Sequence, residues 1–384
     1  MATALSLEFW LCMFNLMMSL GISVHLYEAF VYNVIFLGQV LPALGRESLT
    51  VPFRAIFNLV WGLALWSHLQ AHFTDPGIVP QQWQEFVHNL GAAIPIAPSR
   101  QEFQPGKATF CKSCRRSRPE RAHHCQFCGA CVLRYDHHCP WISNCVGSNN
   151  HKYFLLSVLY GCLASLVALA TALPELAYCV RALAASGGGT DELAPLALPA
   201  VIAFLGFGLV ALLVAILLTM LLTTYLPFAA QNLTTVEEAY TNMANPFDLG
   251  GARANLEQIF GSLGPDWLLP VKPFRPQTDG VFFPRAVERI GPGLLELRDS
   301  AAALGAAEAP LAASTTEMPA RSSSRGGVSD FIVQDWSISA EDEVAVERLW
   351  RIRYHVGARA IGTAPPAKKR RWVGCCTRPG PGDQ

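Results

Sequence analysis

Long apolar stretches separated by one polar stretch dominate the first 230 residues of the chain. A helix needs roughly 20 apolar residues to cross a bilayer core of about 30 Å. Four stretches are long enough, and they lie within residues 9–45, 55–73, 153–173 and 199–228. No Asp, Glu, Lys or Arg occurs in residues 193–236, which argues against buried helices of a soluble enzyme. The pattern therefore predicts an α-helical integral membrane protein with four transmembrane helices.

The first apolar stretch is long enough for two spans, with Glu28 and Tyr32 in its middle. No clear turn signal divides it, so we interpret it as one span with an interfacial approach. The stretch has neither a basic leader nor a small-residue cleavage site, which argues against a removed signal peptide.

The distribution of charge predicts the orientation of the spans. Charged residues make up only 15% of the chain, and no long charged run favours nucleic acid as the main partner. Cytosolic loops of membrane proteins carry an excess of Lys and Arg. The segment between the second and third spans should therefore be cytosolic, with both termini on the same side, where thiols stay reduced. Its basic residues include Arg100, Lys107, Lys112, Arg115, Arg116, Arg118, Arg121 and Arg134.

Seven of the twelve cysteines lie in the polar segment between spans two and three, and six of them follow a repeated pattern. The pattern C-x2-C-x9-H-x6-C occurs twice, shifted by fourteen residues, so that the two copies interlock. Each copy supplies the Cys3His ligand set of a closed, structural zinc site. A nucleic-acid zinc finger would need a base-reading helix between its ligand pairs, and the spacers are too short for one. The predicted ligands are Cys111, Cys114, His124 and Cys131 for one Zn²⁺, and Cys125, Cys128, His138 and Cys145 for the other.

The same spacing leaves one cysteine without a metal. The tripeptide HHC occurs twice, and the second copy would open a third site at Cys139, but the next ligand position is Ile142. His137 is also unused, and Asp136 precedes it. A histidine beside a thiol can take its proton, and a carboxylate can orient the imidazole. Cys139 is therefore a candidate nucleophile, and a buried, inert cysteine is the alternative.

These residues resemble the DHHC protein S-acyltransferases, the integral-membrane palmitoyltransferases. The resemblance is close over "CKSCRRSRPERAHHCQFCGACVLRYDHHCPWISNCVGSNNHKYF", with Ser143 where many members have Asn. It extends to "TDPGIVP" after the second span and "TTVE" after the fourth. It also covers "NPFDLGGARANLEQIFGSLGPDWLLPV", where Asn255 and Phe260 occupy the matching places.

The resemblance implies a two-step transfer of an acyl group. Cys139 attacks palmitoyl-CoA or another long-chain acyl-CoA and becomes acylated, with His137 as general base and Asp136 as its orienting partner. A cytosolic cysteine of a membrane-associated protein then takes the acyl group. The family's commonest location is the Golgi or another endomembrane such as the endoplasmic reticulum, with the plasma membrane as an alternative. The competing function class is a membrane scaffold with a structural zinc module and an unused thiol.

Three further residues receive supporting roles. We expect Thr235 to contact Asp136, and Thr234 with Glu237 matches both the family element and an ordinary helix-capping signature. Asn255 is expected to tie the segment after the fourth span to the zinc module or to span three. The basic residues near the zinc ligands suit either CoA phosphates or an anionic lipid surface.

The tail of the chain changes composition. It becomes rich in Ala, Gly, Pro and Ser, which is typical of disorder, apart from a short amphipathic pattern after Ser339. Near its end, Cys375 and Cys376 follow a basic run and are candidates for self-acylation; the alternative is a simple solvated basic tail. The predicted domains are 1–74 for spans one and two, 75–152 for the cytosolic zinc domain, 153–228 for spans three and four, 229–284 for a cytosolic segment, and 285–384 for the tail.

Overall fold

Four long apolar helices form the bulk of the protein. The computed structural model describes residues 4–90, 96–185 and 196–285. Its helices that are long and apolar enough to cross a membrane are Cys12–Ala43, Glu47–Phe73, His151–Ala184 and Leu198–Ala230, named spans 1 to 4 below. The predicted four-span helical membrane fold with a cysteine-rich domain between spans 2 and 3 is confirmed. The first apolar stretch forms one span.

Two spans differ locally from a regular α-helix of the expected length. Span 1 is α-helical over Ala4–Phe30 and π-helical over Val31–Val40, where its buried face carries Tyr32. The third helix runs over His151–Ala185, so the end predicted near residue 173 is wrong. It continues through Pro174, whose missing N–H neighbouring helices can accommodate within a membrane. One turn of this extension is held by an ion pair between buried Glu175 and Arg46.

The polar segment between spans 2 and 3 folds as short strands. Strands β2 and β3, β4 and β5, and β6 and β7 form three antiparallel hairpins, and β1 adds to β2 in parallel. The strands are β1 Ile96–Ala97, β2 Ala108–Cys111, β3 Arg116–Arg118, β4 His123–Cys125, β5 Ala130–Val132, β6 His137–Cys139 and β7 Asn144–Val146. Such short strands bury little apolar surface, so cross-linking by metal suits this domain.

The three hairpins share one turn conformation. Each turn follows a cysteine that ends the first strand, and it closes four residues later with a left-handed residue: Arg115 (φ 51°), Gly129 (φ 61°) or Ser143 (φ 47°). These residues are fourteen positions apart. The fourteen-residue repeat of the sequence is therefore a repeat of whole hairpins, and it extends to a third unit.

The segment after span 4 folds back onto the zinc domain. Within its described residues 231–285, the regular helix is Ala252–Phe260, and a single turn of 3-10 helix follows at Pro265–Leu268. The Asn242 amide receives a hydrogen bond from Phe103 N at 2.8 Å and donates one to Phe103 O at 3.0 Å. Since two spans separate the zinc domain from this segment, both lie on the same side of a membrane that the spans cross.

Candidate functional site

The first metal quartet joins the turn of hairpin β2–β3 to the strands of hairpin β4–β5. Cys111 ends β2, Cys114 lies in the turn, and His124 and Cys131 are cross-strand partners. Cys114 Sγ lies 3.2 Å from His124 Nδ1 and 3.8 Å from Cys131 Sγ, which is 3.9 Å from the same Nδ1. A tetrahedral zinc ion with ~2.3 Å Zn–S and ~2.0 Å Zn–N bonds separates its ligand atoms by about 3.5–3.8 Å. The four side chains can therefore hold one metal ion.

The second quartet repeats this construction one hairpin later. Cys125 ends β4, Cys128 lies in the next turn, and His138 and Cys145 are cross-strand partners of β6 and β7. His138 Nδ1 lies 3.7, 3.5 and 3.6 Å from the sulfurs of Cys125, Cys128 and Cys145. This quartet can also hold one metal ion. Each metal would thus link the turn of one hairpin to the strands of the next.

The third hairpin explains why Cys139 stands apart from the quartets. Cys139 ends β6 as Cys111 ends β2, but buried Ile142 occupies the place of the second turn cysteine. After β7 the chain enters span 3, so no fourth hairpin supplies a His–Cys pair. The position that binds metal in the first two hairpins therefore presents a buried, free thiol in the third.

Asp136 and His137 form a fixed pair next to this thiol. His137 Nδ1 donates a hydrogen bond of 2.7 Å to Asp136 Oδ2. The other oxygen, Oδ1, accepts one from Thr235 N at 2.8 Å, and the Thr235 hydroxyl donates to the Asp136 carbonyl at 2.8 Å. The expected contact between Thr235 and Asp136 is therefore present. It connects the segment after span 4 to the start of β6.

The electrostatics of the pair favour the charged forms of both groups. Burial opposes ionisation of Asp136, but the hydrogen bonds from His137 and Thr235 lower the pKa of the carboxyl below its ordinary value. Burial would lower the pKa of His137, but its bond to Asp136 and its interaction with Cys139 raise it to about 10. The imidazole is thus a strong proton acceptor, and its protonated form is stabilised by the carboxylate.

Apolar rings from two spans surround His137. Its ring centroid lies 5.3 Å from Phe154 of span 3 and 5.3 Å from Tyr225 of span 4. Phe154 and Tyr225 pack edge to face at 5.0 Å. Cys139 belongs to the same buried cluster as these spans. The thiol and the imidazole therefore lie where the zinc domain meets the ends of the spans.

A buried ion pair supports the site from the zinc domain. The Arg121 guanidinium donates two hydrogen bonds of 2.7 Å to the carboxylate of Glu237, and a third of 2.7 Å to the carbonyl of Asn232. Burial raises the pKa of Glu237, but Arg121 outweighs it and lowers the pKa below its ordinary value. The Thr234 N–H also donates to Glu237, as in a capping box. Residues 235–239 form turns and not a helix, so the helix-capping interpretation is wrong, while the packing interpretation holds.

Comparison with known proteins identifies the arrangement. The sequence model described as "DHHC palmitoyltransferase" matches residues 104–242. The Arabidopsis thaliana protein named "Probable protein S-acyltransferase 12" is 32% identical over 220 residues, which cover 56% of this chain and 72% of the relative. The chain belongs to the DHHC palmitoyltransferase family.

Other relatives carry consistent names. "Probable protein S-acyltransferase 13" of Arabidopsis thaliana is 33% identical over 254 residues, covering 63% of this chain and 80% of the relative. Human "Palmitoyltransferase ZDHHC3" is 44% identical over 120 residues, or 30% of this chain and 36% of the relative. The protein is thus a protein S-palmitoyltransferase, and the enzyme is favoured over the scaffold that the sequence left as an alternative.

Two expectations about basic and supporting residues of this palmitoyltransferase are wrong. Arg118 and Arg121 do not lie on a basic surface, because both are buried. Arg118 donates to Thr109 at 2.7 Å and to Ser99 at 2.6 Å, and Arg121 pairs with Glu237 as described. A buried guanidinium with several fixed donors satisfies internal acceptors better than a lysine would. Lys112, Arg115 and Arg116 are exposed, as expected.

The expected role of Asn255 in the palmitoyltransferase is also wrong. Its side chain does not connect the segment after span 4 to the zinc module or to span 3. Its amide donates to Ala230 O at 2.9 Å and to Asp248 Oδ1 at 2.7 Å, and accepts from Leu249 N at 2.8 Å. Ala230 is the last residue of span 4, and the last carbonyls of a helix have no partner within it. Asn255 therefore closes the end of span 4.

Asn144 is a functional candidate that the sequence interpretation missed. It is the cross-strand partner of Cys139, and it is fully buried. Its amide nitrogen lies within 3.2, 3.0 and 2.9 Å of the carbonyl oxygens of Ala71, His72 and Thr74, at the end of span 2. His72 Nδ1 in turn lies 2.7 Å from Ile142 O. These bonds hold the hairpin that carries Cys139 against the end of span 2.

Replacing Asn144 with alanine should therefore slow acylation of the palmitoyltransferase without removing its metals. We expect the rate of acyl-enzyme formation to fall roughly 10- to 100-fold, because an error of about 1 Å in the position of a reacting group can cost 100-fold. Stopped assays with labelled palmitoyl-CoA measure this rate, and metal analysis should still find both sites filled. Asn242→Ala, which removes an amide–backbone pair away from Cys139, is the control. Equal rates for Asn144→Ala and wild type would refute the positioning role.

Proposed function

We propose that the enzyme moves a long-chain acyl group from palmitoyl-CoA to Cys139 and then to a cysteine of a membrane-associated protein. The observation that carries this proposal is the free thiol of Cys139 beside the hydrogen-bonded pair of His137 and Asp136. The six other cysteines within residues 111–145 belong to the two metal quartets. Cys139 is therefore the cysteine of this domain that is available for covalent chemistry.

In the first half-reaction, His137 holds the proton of the Cys139 thiol as an imidazolium, which its raised pKa favours, and Cys139 is a thiolate. The thiolate attacks the thioester carbonyl, a new C–S bond forms to Cys139, and the bond between the carbonyl carbon and the CoA sulfur breaks. The CoA thiolate takes the proton back from the imidazolium. Asp136 keeps the imidazole in the orientation that directs its free nitrogen away from the carboxylate, and it stabilises the imidazolium. General base catalysis of this kind contributes about 10²- to 10⁴-fold.

In the second half-reaction, the acceptor is the thiol of a protein cysteine. His137 takes the proton of the acceptor thiol, and the acceptor thiolate attacks the carbonyl carbon of the acyl-enzyme. The bond between that carbon and the Cys139 sulfur breaks, and the Cys139 thiolate takes the proton from the imidazolium. Thr235 supports both steps because it holds Asp136 from the segment after span 4. Glu237 supports them through Arg121, and Asn255 through the end of span 4.

We assign one zinc ion to each quartet. Three thiolates and one imidazole form the usual donor set of closed structural zinc sites, and the separations of the ligand atoms fit it. When bound, the zinc ions cross-link consecutive hairpins. Neither site leaves an open position for substrate, so the acyl transfer is performed by side chains. The second quartet includes His138 and Cys145 and therefore braces the hairpin of Cys139 directly.

The position of the thiol suits a lipid donor. Each CH2 group kept in the bilayer is worth about 0.8 kcal/mol, so a palmitoyl chain stays among the spans while its thioester reaches the membrane surface. Cys139 shares a buried cluster with Ala64 and Ala71 of span 2 and lies next to Tyr225 of span 4. We propose that this surface is cytosolic, from the excess of basic residues in the zinc domain, and that the enzyme resides in endomembranes such as the Golgi.

The experiment that tests the proposal locates the acyl group. The purified enzyme is incubated briefly with isotopically labelled palmitoyl-CoA, digested, and analysed by mass spectrometry before and after neutral hydroxylamine. We expect the earliest label on the peptide that contains Cys139, its loss with hydroxylamine, and its discharge when an acceptor protein is added. Early label on another cysteine, or none, would contradict the assignment.

The same experiment covers the tail. Cys375 and Cys376 lie outside the described residues, as do the amphipathic pattern after Ser339 and the basic run. If the two cysteines are targets of self-acylation, their label should appear after that of Cys139.

A further inference from the structure

The segment that follows the helix Ala252–Phe260 exposes a group of large apolar side chains. Leu268 is 64% exposed and Phe274 is 68% exposed, with Leu263 at 48% and Leu269 at 39%. They lie within the twelve residues 263–274, and the acyl transfer described above does not use them. Several large apolar side chains exposed close together in one segment indicate contact with a membrane or with another protein. This group is called the apolar loop below.

Span 3 fixes the depth of the apolar loop. The Tyr160 hydroxyl donates a hydrogen bond of 2.5 Å to the carbonyl of Leu268. The Lys152 ammonium donates to the carbonyls of Asp266 at 2.6 Å and Val271 at 3.0 Å. Tyr160 lies nine residues beyond His151, where the helix begins. At about 1.5 Å per residue, the Tyr160 backbone lies roughly 13 Å along span 3 from its first residue, so these bonds hold the loop alongside the first turns of the span.

Span 4 shares a buried cluster with the segment that carries the loop. Trp267 packs on Phe260, with ring centroids 5.2 Å apart. Both rings belong to a cluster to which span 4 contributes Leu221, Leu222, Tyr225 and Ala229. The loop is thus packed beside side chains of spans 3 and 4 and is not separate from them.

The charges of the loop are arranged as at a membrane surface. Its acidic residue, Asp266, is buried and accepts a hydrogen bond from Phe274 N at 3.1 Å. Its basic residues, Lys272 and Arg275, are exposed on either side of Phe274. Cations beside exposed apolar side chains are attracted to anionic headgroups, while the apolar side chains enter the acyl boundary.

We propose that the apolar loop inserts into the leaflet on the side of the zinc domain, with Leu268, Leu269 and Phe274 among the acyl chains. Lys272 and Arg275 then lie at the headgroups. The partner is the lipid surface itself, because the loop is continuous with the lipid-facing sides of spans 3 and 4. The inserted loop fixes the depth of the helix Ala252–Phe260 that precedes it. This proposal concerns the membrane contact and stands apart from the steps of acyl transfer.

The test measures the surroundings of single positions in the full-length enzyme. An environment-sensitive fluorescent amino acid replaces Leu268 in one variant and Met243 in another, and both are reconstituted in phosphatidylcholine nanodiscs. Met243 is the matched control, because it is an exposed apolar residue after span 4 next to Asn242, which pairs with the zinc domain. Lipids with a doxyl quencher near the top of the acyl chain are then added. We expect blue-shifted emission and strong quenching at position 268 and neither at position 243.

Two results would overturn the proposal. The first is water-like emission at position 268 without quenching, as at position 243. The second is emission at position 268 that changes only when a membrane-anchored substrate protein is added, which would make the loop a protein-docking surface. Label at Cys139 reports acyl transfer separately, so failure of the lipid contact and failure of the proposed reaction are distinguishable.

Discussion

Replacing Cys139 with serine should abolish formation of the hydroxylamine-sensitive acyl-enzyme and transfer to protein acceptors. A thiol has a pKa near 8.5 and a neighbouring imidazole can deprotonate it, whereas a hydroxyl is a far weaker acid and nucleophile. Serine is nearly the same size as cysteine, so the buried β6–β7 hairpin should keep its fold and its zinc. The measurement is incorporation of labelled palmitate per enzyme chain, together with zinc content.

The matched control for this variant is Cys162→Ser. Cys162 is also a buried free cysteine, but it lies in span 3 with its sulfur 3.3 Å from the Thr219 hydroxyl. Its replacement should leave incorporation close to that of wild type. Hydroxylamine-sensitive label on Cys139→Ser at the wild-type level would show that another residue carries the acyl group. In that case the third hairpin would be structural.

The second large effect is expected from Cys145→Ser, which removes one ligand of the second quartet. A structural zinc site contributes an apparent ~10–16 kcal/mol to folding, which is as large as the whole stability of a typical domain, about 5–15 kcal/mol. Cys145 pairs with His138 across the hairpin that carries Cys139. We therefore expect zinc to fall from two ions per chain to one or none, acylation to be lost, and limited proteolysis to cut within residues 125–146.

Cys111→Ser separates the role of the second metal from that of the first. Cys111 belongs to the other quartet, whose turn is in hairpin β2–β3, two hairpins before β6–β7. We expect this variant to lose one zinc ion and to open the domain first at hairpin β2–β3. Elemental analysis and the position of the proteolytic cuts distinguish the two variants. Two zinc ions bound to Cys145→Ser would contradict the ligand assignment.

Several residues of the site have partners that local sequence patterns cannot predict. Arg121 looks like one of several surface cations in the sequence, yet it is the buried partner of Glu237, 116 positions away. Asn144 follows Ser143 without any sign of its role, because its acceptors are the last carbonyls of span 2. The expected partner of Asn255 is wrong for the same reason, because its acceptor, the carbonyl of Ala230, lies 25 positions away in the chain. Only the fold brings such partners together.

The four spans, the two Cys3His quartets and the separate status of Cys139 are all predictable from local sequence. Apolar length and ligand spacing are local properties, and the bilayer and zinc impose strict requirements on them. The contacts that hold Asp136 and Cys139 in place are visible only in the folded protein: Thr235 bonds the carboxylate, Asn144 bonds the end of span 2, and rings of spans 3 and 4 lie against His137. These contacts join segments far apart in the chain, so they depend on how the hairpins dock on the spans and leave no periodic trace in the sequence.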